Sequence, residues 1–230
     1  MAIKSTLVFY FKTTALKQHG ESKKVRCIKW KAYLKKIRCK EWNSHGSQCK
    51  KFTTIGAGIC PVHLYLHYKL RIKPSLIRVN KKSIGLGVFA LSTGNGESIV
   101  FHEDDMILPY DGENITFEEK NRRYGESTAP YCVGGSHEDE YGKYDCPYFD
   151  SALYRSTASI INHADGNDAN CFYLFNDENN RVEIRALRDI YSNEELLCDY
   201  GEEYKISGQF AGTFCTIRNT QSIPAWYNST

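Results

Sequence analysis

Ser159-Ile160-Ile161-Asn162-His163 and Glu194-Glu195-Leu196-Leu197-Cys198-Asp199-Tyr200-Gly201 are the two stretches whose reading decides the fold. Each is a short apolar run that stops abruptly, the first at an amide and an imidazole, the second at a carboxylate, a phenol and a glycine. Strand ends of this kind leave backbone and polar side chains free to face a ligand. Alone, Asn-His reads as a turn and Asp-Tyr-Gly as a strand end. Together, and preceded in order by Gly85-Leu86-Gly87 and Tyr110-Asp111-Gly112, they describe a site.

This ordered set resembles the SET-domain protein lysine methyltransferases, from about residue 76 to 204. The chain departs from the family pattern in one place. Where the family usually continues Asn-His as Ser-Cys-x-Pro-Asn, residues 164–169 intervene here without a proline, and Asn170-Cys171 recovers the end of the pattern. The resemblance implies a fold of several small twisted sheets, with the Asn162 segment threaded under a loop to meet the Tyr200 segment in a pseudoknot. Periodicity alone gives a mostly β chain with few short helices: strands near Leu76-Ile77-Arg78-Val79, 84–90, 98–101, 106–110 and 129–133, a helix over 114–123, and a hairpin of 172–175 with 182–187.

Composition is that of an ordinary globular protein, and 230 residues hold one sizeable domain plus a small module. The apolar run Leu7-Val8-Phe9-Tyr10-Phe11 is too short for a signal-peptide core or a bilayer span, so a soluble intracellular protein is expected. Nine scattered cysteines suit thiols or metal ligands better than bridges. The charge is divided: residues 1–82 hold 20 Lys/Arg against 2 Asp/Glu, a net +18, and the rest hold 10 against 25, a net −15. A basic half suits nucleic acid or another polyanion, and an acidic half suits a cationic substrate; docking of the two halves on each other is the plainer reading.

Four segments follow. Residues 1–38 are basic, and Cys27, Trp30, Leu34 and Ile37 share one face of an amphipathic helix expected over 23–42. Residues 39–66 carry Cys39, Cys49, Cys60 and His63, three thiols and an imidazole that complete a tetrahedral Zn²⁺ shell, with Gly46, Gly56 and Gly58 for the turns. Three buried thiols and a surface histidine are the alternative; so small and basic a stretch has too little apolar area to hold itself together, which favours the metal. A short linker leads to the SET-like segment, 74–206, and a C-terminal flank of 207–230.

The resemblance also implies chemistry. S-adenosylmethionine is the expected cofactor, with Gly85, Leu86 and Gly87 beside its methionine part, Asn162 and His163 holding its amino and adenine ends, and Tyr200 as the catalytic tyrosine. Tyr110 and Tyr173 would wall the lysine channel. Cys198, two before the catalytic tyrosine, stands where the family counts methyl groups, and its small size predicts di- or trimethylation. Substrates would be histones or another basic protein, with nucleosome or nucleic-acid contact through the basic half and a nuclear location. The alternative is an inactive SET-like module that binds chromatin or nucleic acid. Only Cys215 follows the catalytic tyrosine, so Phe210, Phe214 or Trp226 would cover the adenine in place of a zinc-bound closing segment.

Overall fold

A computed structural model describes residues 6–8, 31–34, 36–79, 82–92, 98–124, 129, 131–134, 147–164, 166–176, 178–200 and 218–219. The chain is mostly β, as the hydrophobic periodicity predicts, with two short helices: Phe117–Tyr124, expected over 114–123, and Pro61–Tyr68, which the sequence pattern did not indicate.

The largest sheet is built around the hairpin of Cys171–Asn176 and Arg181–Ala186, which is paired over six registers from Cys171↔Ala186 to Asn176↔Arg181. Met106–Tyr110 adds antiparallel to the second strand, and Leu197–Cys198 adds parallel to the first. Asn162–His163 then pairs parallel with Leu197–Cys198, in the register Asn162↔Leu197 and His163↔Cys198. This is the meeting of the two deciding stretches that the pseudoknot requires. A separate pair, Leu70–Pro74 with Leu86–Ala90, carries the glycine motif on its second strand, and Phe89 bridges to Glu195.

One core serves most of the chain. Val88, Ala90, Leu108, Ile161, Ile184, Ile190 and Leu196 are buried in it, and so are Ile59 and Leu64 from the Cys/His segment and Leu70 from the expected linker. Burying apolar area of this kind stabilises by about 25 cal/mol per Å², so the Cys/His segment draws support from the same core as the rest.

The expected helix over 23–42 falls partly outside the described residues. Within them, Lys31–Tyr33 and Ile37–Arg38 are strands. From residue 37 onward a different periodicity operates: Cys39 is buried while Arg38, Lys40 and Trp42 are exposed. Alternation with period two is a strand signature. The second helix begins at Phe117, not Asn114, because Glu113–Ile115 pairs as a strand with Tyr148–Asp150 and the Thr116 hydroxyl takes the Glu119 N–H at 3.2 Å.

Candidate functional site

The first deciding stretch enters on a 3₁₀ turn, Ala158–Ile160, and Asn162 follows in extended backbone. Its amide nitrogen donates to the Leu86 carbonyl at 2.9 Å and to Glu195 Oε1 at 3.0 Å. Both partners are acceptors, which fixes the orientation of the amide and leaves Oδ1 as the atom available to a ligand. Next to it, His163 Nδ1 accepts the Tyr200 backbone N–H at 3.1 Å, and the two rings lie 5.1 Å apart.

The glycine motif owes its form to two different causes. Gly85 has φ +117°, and no described residue comes within 4 Å of where a Cβ would sit, so the backbone conformation selects it. At Gly87 an added Cβ would come within 2.1 Å of Glu195 Oε1. Glu195 is 7 % exposed, and its other oxygen accepts the Leu76 N–H at 2.8 Å. The sequence reading assigned both glycines to cofactor approach; the packing of Glu195 already accounts for the second.

Three phenols form a row. Tyr173 lies between Tyr110 and Tyr200, 6.2 Å from each ring, and Tyr110 and Tyr173 are buried. Phe172, on the opposite face of the same strand, is partly exposed. Tyr110 donates to the Tyr131 carbonyl at 2.7 Å, and burial holds its hydroxyl well above the ordinary phenol range. It therefore acts as a neutral hydrogen-bond donor. Tyr200 donates its hydroxyl to the Ile161 carbonyl. Cys198, fully buried, has its sulfur 2.8 Å from that of Cys171, its neighbour across the parallel pair.

Asn170 and Glu195 are the residues whose importance the sequence reading missed. Asn170 is 2 % exposed. Its Nδ2 donates to the Glu195 carbonyl at 2.8 Å and its Oδ1 accepts the Leu197 N–H at 2.8 Å. One side chain thus imitates a strand edge, satisfying backbone groups where the long loop returns. The signal was its place directly before an apolar strand, at the end of a polar loop.

A second cluster lies apart. The ligand atoms of Cys39, Cys49, Cys60 and His63 all fall within 4.8 Å of one another, and all four residues are buried. His63 Nδ1 is 3.3 Å from Cys39 Sγ and 3.4 Å from Cys60 Sγ. A tetrahedral zinc with Zn–S about 2.3 Å and Zn–N about 2.0 Å sets such distances near 3.5 Å, so the donor set and its spacing fit that ion. Cys60 begins the first helix, with Pro61 at its first position, which aims His63 back at the sulfurs. Burial opposes ionisation of Cys60, but hydrogen bonds from the His63 N–H, the Cys39 thiol and the Val62 N–H outweigh it and lower the thiol's pKa. In Cys39 burial wins and the pKa rises.

The cluster reaches the phenols through backbone. Gly56 and Ala57 donate to the Arg155 carbonyl at 2.7 and 3.0 Å, and the Arg155 guanidinium stacks 3.1 Å from the ring centre of Tyr131, whose carbonyl holds Tyr110. Cys27, Trp30, Cys146, Gly201, Phe210, Phe214, Cys215 and Trp226 lie outside the described residues. Among the described residues no helix is long and apolar enough to cross a membrane.

The family model for the SET domain matches residues 85–201, just over half of the chain. No curated protein matches the sequence. Solved structures similar to this chain include a polycomb repressive complex 2 from Chaetomium thermophilum, 21 % identical over 70 % of this chain and 18 % of that one, TM-score 0.44. The methyltransferase domain of human PR domain-containing protein 2 is 18 % identical over 64 % and 88 %, TM-score 0.41. A SET8 protein from Cryptosporidium is 23 % identical over 63 % of each chain, TM-score 0.41. The chain spans about a fifth of the length of the polycomb repressive complex 2 chains it matches.

Proposed function

The chain belongs to the SET-domain family, and on that premise we propose that it transfers methyl groups from S-adenosylmethionine to lysine side chains of a histone or another basic protein. The observation that carries this reading is the parallel pairing of Asn162–His163 with Leu197–Cys198, which brings Asn162, His163 and Tyr200 to one place beside the Gly85 strand.

Bound S-adenosylmethionine supplies an electrophilic methyl on a positively charged sulfur. The rest is the work of this chain. Asn162 offers Oδ1 to the cofactor, Leu86 and Gly85 line its approach, and the His163 and Tyr200 rings wall the site. Tyr110, Tyr173 and Tyr200 enclose the incoming lysine. An ammonium with a reference pKa near 10.4 is not a nucleophile. Desolvation among three aromatic rings, beside a positive sulfur, favours its neutral form. The proton would leave to solvent, the bound cofactor would supply the methyl as its carbon–sulfur bond breaks with the electron pair kept by sulfur, and the Tyr200 hydroxyl would align the amine for that transfer. Small Cys198 leaves room for a second and third methyl. The Cys39, Cys49, Cys60 and His63 set holds one structural Zn²⁺. The acidic C-terminal half draws in the basic substrate, and a nuclear location follows from that substrate.

The test is transfer of labelled methyl groups from S-adenosylmethionine onto core histones and nucleosomes, with mass spectrometry to count methyls per lysine. Tyr200→Phe should abolish most turnover and leave cofactor binding nearly intact. Near-normal turnover in that variant would overturn the role of Tyr200, and an inactive parent protein would overturn the enzyme reading.

A further inference from the structure

The Cys/His segment carries a surface that the metal does not explain. Residues 37–53 form one hairpin in a single register: Ile37 pairs with Thr53 and Arg38 with Phe52, the Cys39 N–H reaches the Lys51 carbonyl at 2.7 Å, the Cys49 N–H reaches the Glu41 carbonyl at 2.8 Å, and Trp42 bridges to Gln48. Side chains of a strand alternate between faces. Cys39 and Cys49 therefore point inward to the metal cluster, and Arg38, Lys40, Trp42, Lys50 and Phe52 all fall on the other face.

Exposure agrees with this assignment. Trp42 is 65 % and Phe52 56 % exposed, and Arg38, Lys40 and Lys50 are exposed too. Lys36 stands over the Phe52 ring at 5.6 Å. None of these four cations is in an ion pair among the described residues, and none of the hairpin residues on this face is acidic; Arg38 donates to the Cys49 and Gln48 carbonyls at 2.9 and 3.0 Å, and Lys40 lies within electrostatic reach of the Asp111 carboxylate. Glu41 lies on the inward face, 3.4 Å from His67.

We infer that this outer face binds single-stranded nucleic acid, with Trp42 and Phe52 stacking on bases and Lys36, Arg38, Lys40 and Lys50 meeting phosphates. Along the hairpin the level of Phe52 and that of Trp42 are four residues apart, about 13 Å at 3.3 Å per residue. An extended single strand covers that distance in about two nucleotides, and Lys40 and Lys50 stand between the two rings. Exposed aromatics on a basic sheet face are the usual platform for unpaired bases. A duplex offers no base face to stack on, so phosphate contact alone would leave both rings without a role. A protein partner is the poorer fit, because interface cores are depleted in lysine and this face interleaves lysine with its rings. The inference gives the polyanion contact expected from the basic half a definite surface, and it is independent of methyl transfer.

Fluorescence anisotropy of the full chain with a labelled 12-nucleotide oligodeoxythymidine, and with a labelled mixed-sequence duplex of the same length, tests it. The single strand should bind at least about tenfold more tightly. Trp42→Ala and Phe52→Ala should each weaken single-strand binding about tenfold and leave duplex binding unchanged. Lys40→Ala with Lys50→Ala should reduce the slope of log affinity against log salt by about 1.4, at about 0.7 per phosphate. Zinc content equal to the parent shows that each variant is folded, and Trp42→Phe should retain most of the binding. Absence of binding, or equal single-strand and duplex binding that ignores both aromatic substitutions, overturns the inference. Methyl transfer to a free peptide should be the same in all these variants, so an inactive enzyme would refute the previous reading without touching this one.

Discussion

Replacing Gly87 with alanine tests the packing logic of the site. The new Cβ would sit 2.1 Å from Glu195 Oε1 and 2.8 Å from its Cδ, so the carboxylate must move. In moving it gives up the Asn162 amide at 3.0 Å and the Leu76 N–H at 2.8 Å. Hydrogen bonds to a charged group are worth about 1.5–3 kcal/mol each, so the loss is about 3–6 kcal/mol. A typical domain has about 5–15 kcal/mol in total, so the urea midpoint should fall by a large fraction. Glu195→Ala removes the same two bonds and the severe obstacle, leaving only Asn162 Nδ2 at 3.3 Å, which a small shift of its amide relieves. The double variant should then be no less stable than Glu195→Ala alone, giving a coupling energy about as large as the cost of Gly87→Ala. A Gly87→Ala protein with an unchanged midpoint, or a double variant in which the two costs simply add, would refute the reasoning.

Three more outcomes follow from the same contacts. Asn162→Ala should weaken S-adenosylmethionine binding, measured by calorimetry, by about 1–3 kcal/mol; unchanged affinity would make Asn162 a tie between strands and nothing more. The parent protein should contain about one zinc per chain, and Cys49→Ser should lose it together with the melting cooperativity of the shared core, since Ile59 and Leu64 flank the Cys/His cluster in the chain; a metal-free parent that folds fully would count against the site. Glu119 accepts hydrogen bonds from Arg122 and then Arg123, which hold its carboxyl at about 2 instead of 4.5. A depressed folded-state pKa stabilises above the unfolded value, and the benefit disappears as pH falls from about 4.5 through about 2. Urea midpoints across that window should therefore drop less in Glu119→Gln than in the parent, and parallel curves would show that the ion pairs contribute nothing.

The polar endings of two apolar runs were legible because each motif is local, and so was the donor set of Cys39, Cys49, Cys60 and His63. What escaped was what depends on a partner far along the chain. Glu195 looks like the solvated flank of an apolar run until Gly87 and Leu76 are seen to lie against it. The reading of 23–42 as a helix failed over 31–33 and 37–38 because Leu34 and Ile37 satisfy a 3.6-residue spacing by accident. The inward demand of Cys39 and Cys49 sets the true period of two, and tertiary context overrides a weak local preference. Asn170 was visible as the end of a motif but not as a clasp, since only its two hydrogen bonds to the 195–197 backbone reveal that use.

The bond from Leu76 to Glu195 spans 119 residues of sequence, and it has a meaning on the ribosome. Synthesis runs at about 5–20 residues per second, so roughly 6–24 s separate the emergence of these two residues. During that interval the Leu70–Pro74 and Leu86–Ala90 strands can pair with each other, while Leu196, which shares their core and donates its N–H to the Val88 carbonyl at 2.7 Å, has yet to be made. The nascent chain therefore carries an uncovered apolar face for several seconds of every round of translation, and a chaperone that shields it should raise the yield of folded protein.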